Sequence, residues 1–215
     1  MIDLNEFLTI EENSTAEIVE KKSRFIAHIF YIENIQQAEN LIKEIKKKYH
    51  DARHNCMAFR VIENENIIEK SSDDGEPSGT AGAPMLEILK NKNICNVVVI
   101  VTRYFGGILL GTGGLVRAYS QATLNAIENS KKVYKCIGYE MELSLDYKDF
   151  EYFKHYCKKN NIKISTLKYL DVVVCKIELE KEIKEKIIND IDTKKINAKI
   201  NNNLCKKIIN KNVEK

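Results

Sequence analysis

The sequence predicts an α+β protein of two domains, and two observations support this fold class. Strand-like runs rich in β-branched and aromatic residues alternate with amphipathic helical segments along the 215-residue chain. The charge balance also changes near residue 132: positions 1–130 carry a net charge of −4, and positions 131–215 carry +7. We therefore expect one domain over 1–132 and a second over 133–215.

The first domain is predicted to contain three helices and several strands. Residues 15–32 are rich in β-branched and aromatic side chains, which predicts one long strand or a bent pair. Apolar residues recur at helical spacing over 34–49, and two strand-like runs flank a turn at Asn64–Asn66. Thr80 is a plausible N-cap for the next helix. The remaining predicted elements are a helix at 81–91, a doubly covered strand at 96–102 and a helix at 114–129.

The second domain shows a different order of elements. Its pattern predicts a strand, a helix, two strands, a helix and a short final strand, at 139–146, 148–160, 162–169, 171–179, 181–191 and 196–201. This βαββαβ order is typical of a ferredoxin-like fold. The Asn/Lys-rich tail is the only low-complexity stretch, and we predict no element in it.

Bulk features favour a cytoplasmic protein. The longest purely apolar run, Val97–Val101, has five residues, which is too short to cross a membrane. The N-terminal residues lack the basic region of a signal peptide. Six cysteines lie far apart without a C-x-x-C pair, which favours free thiols in a reducing compartment. The positive excess of the second half suits a phosphate backbone, or reflects lysine-rich composition alone.

Glycine is concentrated in one part of the chain. Eight of nine glycines and both prolines fall between Gly75 and Gly114, in two segments: DDGEPSGTAGAP (73–84) and TRYFGGILLGTGGLVRAYSQA (102–122). Glycine permits backbone conformations and close approaches that a Cβ forbids. We therefore expect the functional site to lie in these two segments.

The second segment has the composition of an anion site. A strand ends at Thr102, a glycine-rich loop follows, and a helix is predicted to begin near Gly114 with unpaired N–H groups. Two arginines flank the loop and could bind a phosphate or carboxylate. Alternatively, the glycines serve only close packing and a tight turn. The candidate anion-binding residues are Arg103, Gly106, Gly107, Gly111, Gly113, Gly114 and Arg117.

Neither segment matches a nucleotide-binding fingerprint, because both the P-loop pattern and G-x-G-x-x-G are absent. We therefore predict no cofactor.

The carboxylates Asp73, Asp74 and Glu76 could bind a metal ion, form an ordinary turn, or make a salt bridge to one of the two arginines. We favour the structural or ligand-framing role and predict no metal site. His50 and His54 are four residues apart but have no second ligand pair. The catalytic residues, if the protein has any, are unknown, with Ser78, Ser120 and Cys56 the candidate nucleophiles.

Together with ARHNCMAFR (52–60) and KKSRFIAHI (21–29), these two segments closely resemble the YigZ/IMPACT family. The resemblance implies a first domain with the βαβ sandwich seen in a ribosomal protein and in elongation factor G. It implies a second domain similar to the last domain of elongation factor G. The signature residues that it implies to frame the site are His54, Asp73, Asp74, Gly75, Glu76, Pro77, Thr80, Gly82 and Tyr119.

The resemblance also suggests a function. Eukaryotic relatives restrain a starvation-activated initiation-factor kinase by competing for its activator, and they carry an additional N-terminal domain without counterpart in this sequence. We therefore expect a non-catalytic, translation-associated regulator that binds RNA or the ribosome. One alternative is an enzyme acting on a small phosphorylated or peptide substrate between 73–84 and 103–117, and another is a protein-interaction module. No oligomeric state is predicted.

Overall fold

The computed structural model describes residues 6–64, 66–201 and 205–210 and divides into two compact units. The first unit spans Phe7–Val133, and the second begins at Tyr134. Each unit combines helices with an antiparallel sheet, so the predicted two-domain α+β fold is confirmed. No helix among the described residues is long and apolar enough to cross a bilayer.

The first unit is built on a five-stranded antiparallel sheet, whose strands lie in the order Ser14–Glu20, Ser23–Tyr31, Val97–Tyr104, His54–Glu63 and Asn66–Ser72. The segment predicted as one strand or a bent pair is a hairpin whose turn residues, Lys21 and Lys22, have positive φ. The short first strand was not predicted. The strands are β1 Phe7–Ile10, β2 Ser14–Glu20, β3 Ser23–Tyr31, β4 His54–Glu63, β5 Asn66–Ser72 and β6 Val97–Tyr104, and the helices are α1 Ile35–Lys48, α2 Gly82–Asn91 and α3 Gly111–Asn129.

The central strand β6 is covered on both faces, as its unbroken β-branched run predicts. Val97, Val99 and Val101 pack into a core formed with α2 and α3. Val98 and Ile100 belong to a second core, formed with α1 on the other face. Because successive residues of a strand point to opposite faces, no position of this run is left for a polar side chain.

The second unit follows the predicted βαββαβ order and adds one strand. Its sheet has the strand order Lys163–Tyr169, Val173–Leu179 and Lys132–Leu145, and two further strands of this unit pair with the last of these. This arrangement is the ferredoxin-like topology. Its elements are β7 Lys132–Leu145, α4 Tyr147–Lys159, β8 Lys163–Tyr169, β9 Val173–Leu179, α5 Lys181–Asp192, β10 Lys199–Ile200 and β11 Cys205–Asn210.

The additional strand, β11, lies in the tail for which no element was predicted. Its residues Cys205–Asn210 pair with Lys135–Glu140 of β7. This pairing is possible because β7 begins at Lys132, several residues before the predicted start at 139. The longer strand offers backbone N–H and C=O groups that β11 satisfies.

Candidate functional site

The two glycine-rich segments meet at a buried ion pair. Arg103 Nη1 donates to Glu76 Oε1 at 2.6 Å, and the two side chains are 7% and 3% exposed. Ser23 Oγ lies 3.4 Å from Arg103 Nη2 and also accepts from the backbone N–H of Gly106 at 3.2 Å. The expected salt bridge between the segments is therefore present, and it uses Arg103.

The same glutamate extends the network into the core. The Tyr119 hydroxyl donates to Glu76 Oε1 at 2.9 Å, and the Cys56 thiol lies 3.3 Å from that hydroxyl. Burial raises the pKa of Cys56 to about 12, and burial together with the nearby Cys56 and Glu76 raises the pKa of Tyr119. Both groups are therefore protonated at neutral pH, and Cys56 lacks the thiolate character of a nucleophile.

Asp73 caps helix α2 from outside the helix. Its carboxylate accepts from the backbone N–H groups of Gly79 at 2.8 Å, Ala81 at 2.9 Å and Gly82 at 2.8 Å. Burial opposes ionisation of Asp73, but these three donors outweigh it, so the pKa of Asp73 is below its ordinary value. Asp73 is thus a structural anchor for the first glycine segment.

Thr80 is not the N-cap that the sequence suggested. Its hydroxyl donates to the carbonyl oxygen of Pro77 at 2.6 Å, and the N-cap residue of α2 is Ala81, which makes no side-chain capping bond. The Thr80 prediction is wrong because the acceptor for the helix N–H groups comes from Asp73, seven residues earlier in the chain.

Hydrogen bonds connect Asp74 to His54 and to the backbone of strand β4. Asp74 Oδ2 accepts from the backbone N–H of Asn55 at 2.7 Å, and its Oδ1 pairs with Lys46. His54 Nδ1 donates to the Asp74 carbonyl oxygen at 2.9 Å, so His54 Nε2 faces Glu76 Oε1 at 3.9 Å. Asp73, Asp74 and Glu76 therefore have separate partners and do not converge on one point.

A cleft of about 420 Å³ opens beside this network. Its polar lining comprises Arg53, His54, Glu76, Arg103 and Thr112. Its apolar lining comprises Pro77, Phe105, Leu109, Leu110 and Leu115, and Gly75 and Gly111 complete the wall. Residues of both predicted segments thus line one hollow in the first unit.

Helix α3 presents its N-terminal end to this cleft. The helix begins at Gly111, three residues before the predicted start, and its N-cap residue Leu110 makes no side-chain capping bond. The first N–H groups of a helix lack intrahelical partners and carry a partial positive charge. Gly113 and Gly114 lie in this first turn. Gly111 and Thr112 line the cleft, whereas Gly114 lines a separate hollow.

The glycines of the second segment have two different roles. At Gly106 a Cβ would lie 2.0 Å from the backbone of Lys22, so only glycine allows the loop to pack against the β2–β3 turn. At Gly111 the backbone has φ +72°, and nothing lies within 4 Å of a Cβ position. Gly106 therefore serves close packing, whereas the backbone at Gly111 is open to solvent. Gly107 lies exposed in the same loop.

The structure does not bring Arg117 to Arg103. Arg117 lies in the second turn of α3 and lines a separate hollow of about 250 Å³ together with Lys21 and Gly114. Arg53, which no motif in the sequence indicated, lines the cleft together with Arg103. Its only signal in the sequence was its position in the ARHNCMAFR segment, directly before His54.

Comparison with known proteins identifies relatives that share this region. Residues 21–127 match the family model described as the Impact N-terminal domain. The Bacillus subtilis protein "IMPACT family member YvyE" is 38% identical over 186 residues, which are 86% of this chain and 83% of that protein. The Escherichia coli protein "IMPACT family member YigZ" is 38% identical over 128 residues, or 59% of this chain and 63% of that protein.

One solved structure is similar to this chain over most of its length. It is described as the crystal structure of a hypothetical protein, and it aligns with a TM-score of 0.63 and 29% sequence identity. The alignment covers 91% of this chain and 96% of the other. The similarity therefore extends beyond the region matched by the family model and includes the second unit.

Proposed function

Because the chain belongs to the YigZ/IMPACT family, we propose that it is a translation-associated regulator that binds RNA or the ribosome and does not catalyse a reaction. The observation that carries the proposal is the cleft of the first unit. There the uncapped N-terminus of α3 and an exposed arginine, Arg53, line one hollow. Such a combination suits the phosphate groups of RNA.

The charges around the cleft favour an anionic ligand. Arg103 and Glu76 neutralise each other in their buried pair. Arg53 is exposed, and it makes no ion pair with any residue that the structure describes. The cleft therefore retains a positive charge besides the partial charge of the helix end.

The proposal of a non-catalytic role is supported by the state of the buried groups. Cys56 and Tyr119 are held protonated by burial, and Glu76 accepts from both Arg103 and Tyr119. A nucleophile needs a lowered pKa or an adjacent base to act at neutral pH. An enzyme acting on a small substrate in this hollow would have to rely on groups other than these.

The positive excess of the second unit adds little to the case for RNA binding. On its sheet Glu140 pairs with Lys176 at 3.0 Å and with Lys207 at 3.1 Å. Glu178 pairs with Lys163 at 3.1 Å. Lysines that are matched with carboxylates in this way have less to offer a phosphate backbone.

Sedimentation with ribosomes across a salt series tests the proposal. We expect binding at low salt that weakens steeply as salt rises, because phosphate contacts release counterions. Arg53→Ala should weaken binding and reduce the salt slope by about one. Arg24→Ala is the matched control, since Arg24 is also exposed but is paired with Glu17 and does not line the cleft. Absence of binding to both ribosomes and RNA at low salt would overturn the proposal.

A protein-interaction role is the second candidate, and one observation favours it. The loop between β6 and α3 exposes three large apolar side chains: Phe105 at 44%, Ile108 at 43% and Leu109 at 82%. Exposed apolar patches commonly mark protein-binding surfaces. If sedimentation with ribosomes persists at high salt and is lost in the Leu109→Ser variant, the result would support binding to a protein and not to an RNA backbone.

A further inference from the structure

The cleft of the first unit has two kinds of lining that one ligand would have to match. Arg53, His54 and the first residues of α3 are polar, whereas Phe105, Leu109 and their neighbours are apolar. Its volume of about 420 Å³ lies within the range of about 300–1,000 Å³ that is typical of small-molecule sites. A ligand that fills it should therefore carry an anionic group next to a flat or apolar one.

The polar lining has an unfilled hydrogen-bonding position. Arg103 is 5% exposed, and its Nε has no hydrogen-bond partner within the part of the chain that the structure describes. A buried N–H without an acceptor is costly. Other atoms of Arg103 line the same cleft as the open backbone at Gly111 and the exposed side chain of Arg53.

The apolar lining includes an accessible aromatic ring. The Arg103 guanidinium carbon lies 5.6 Å from the centroid of the Phe105 ring, and Phe105 is still 44% exposed. Aromatic rings with an open surface are the usual stacking partners of unpaired bases. Phe105 therefore provides a platform that a phosphate alone would not use.

We infer that this cleft binds a nucleoside 5′-phosphate, with the phosphate at the N-terminus of α3 beside Arg53 and the base on Phe105. The inference rests on the proposed function, because it specifies which part of an RNA the cleft receives. A nucleoside 5′-phosphate can come from two sources, the 5′-phosphorylated end of an RNA and a free nucleotide. A terminal phosphate carries more negative charge than an internal phosphodiester, which suits Arg53 and the helix end.

Isothermal titration calorimetry of the full chain tests the inference with four probes: AMP, adenosine, and one short RNA bearing either a 5′-phosphate or a 5′-hydroxyl. We expect the phosphorylated member of each pair to bind about tenfold more tightly, the usual effect of a charge-assisted contact. Equal affinity for AMP and the phosphorylated RNA indicates a free nucleotide as the source. Tighter binding of the RNA indicates its 5′ end.

Two matched pairs of variants separate the cleft from its surroundings. Phe105→Ala should weaken binding of AMP, whereas Ile108→Ala should not, because Ile108 has the same exposure in the same loop but does not line the cleft. Arg53→Ala should reduce the preference for the phosphorylated probes, and Arg24→Ala should leave it unchanged. Circular dichroism establishes that each variant is folded.

The failure of this inference is distinguishable from that of the proposed function. Ribosome binding without any preference for a 5′-phosphate overturns the inference and leaves the proposed function standing. If the protein shows neither ribosome binding nor a preference for a 5′-phosphate, the inference and the proposed function are both overturned. Equal effects of Phe105→Ala and Ile108→Ala on AMP binding also overturn the assignment of the base to Phe105.

Discussion

Arg103 and Glu76 lie 27 residues apart in the chain and form a 2.6 Å ion pair that solvent hardly reaches. Glu76 also accepts from Tyr119 of α3, so one carboxylate connects the first glycine segment, the central strand and the helix. The pair is at once part of the core and part of the cleft wall. Substitution of either residue should therefore lower the stability of the first unit, whether or not it also changes ligand binding.

Arg103→Ala should destabilise the first unit by about 3–5 kcal/mol, because it leaves the Glu76 charge buried without its partner. Arg24→Ala, which breaks an exposed pair with Glu17, should cost at most about 1 kcal/mol. Urea unfolding followed by circular dichroism measures both, since the chain has no tryptophan to report by fluorescence. If both variants lose a similarly small free energy of unfolding, the buried ion pair is dispensable for stability.

Gly106→Ala should destabilise the protein by about 1–3 kcal/mol, because the new Cβ would overlap the backbone of Lys22 and force the loop away from the β2–β3 turn. Gly113→Ala is the matched control. There the nearest atom is Arg117 Nη1 at 3.7 Å, so alanine should be neutral or stabilise α3 by up to about 1 kcal/mol. Thermal unfolding of the two variants compares them, and a stable Gly106→Ala protein would contradict the packing role.

Asp73→Ala should destabilise the protein by about 1–2 kcal/mol at pH 7, as the loss of a helix cap does. Since the pKa of Asp73 is lowered in the fold from 3.8, its ionised form contributes stability above about pH 3.8. That contribution disappears as the pH falls through the folded-state pKa. Urea midpoints of wild type and variant should thus differ at pH 7 and converge in acid. A difference that persists unchanged at pH 2 would contradict this assignment.

A fragment of residues 1–132 should fold on its own. The two cores around β6 draw all their buried residues from the first unit, and the third core draws its residues from Met141 onward. The fragment therefore keeps complete cores. A cooperative thermal transition by circular dichroism is the expected result, and a gradual loss of signal without a transition would show that the first unit depends on the second.

Strong periodicity explains which parts of the fold were predictable. The run from Val97 to Val101 has no polar position, and it forms a strand covered on both faces. Leu115, Tyr119 and Ala122 recur at helical spacing, and all three are buried on α3. Strand β1 has only four residues, and the six residues of β11 place two lysines before two isoleucines without alternation, so neither strand has a repeat long enough to identify it.

The site was predictable in outline but not in its partners. Both segments meet as expected, because their backbone-permissive residues and opposite charges converge. The position of Arg117 follows from helix geometry: two residues after Leu115, it points about 200° away from a residue that lines the cleft. Arg53 and the capping by Asp73 depend on how distant segments pack, which one sequence alone does not encode in any local spacing.

The order of strands in the first sheet has a consequence for synthesis of the chain. Strand β6 is the last of the five to be made, yet it lies between β3 and β4 and pairs with both. A nascent chain that ends before Val97 therefore presents two separate hairpins, each with an unpaired strand edge lined by apolar side chains. Such edges are sites of aggregation and of chaperone binding. Emergence of Val97–Tyr104 closes both edges at once.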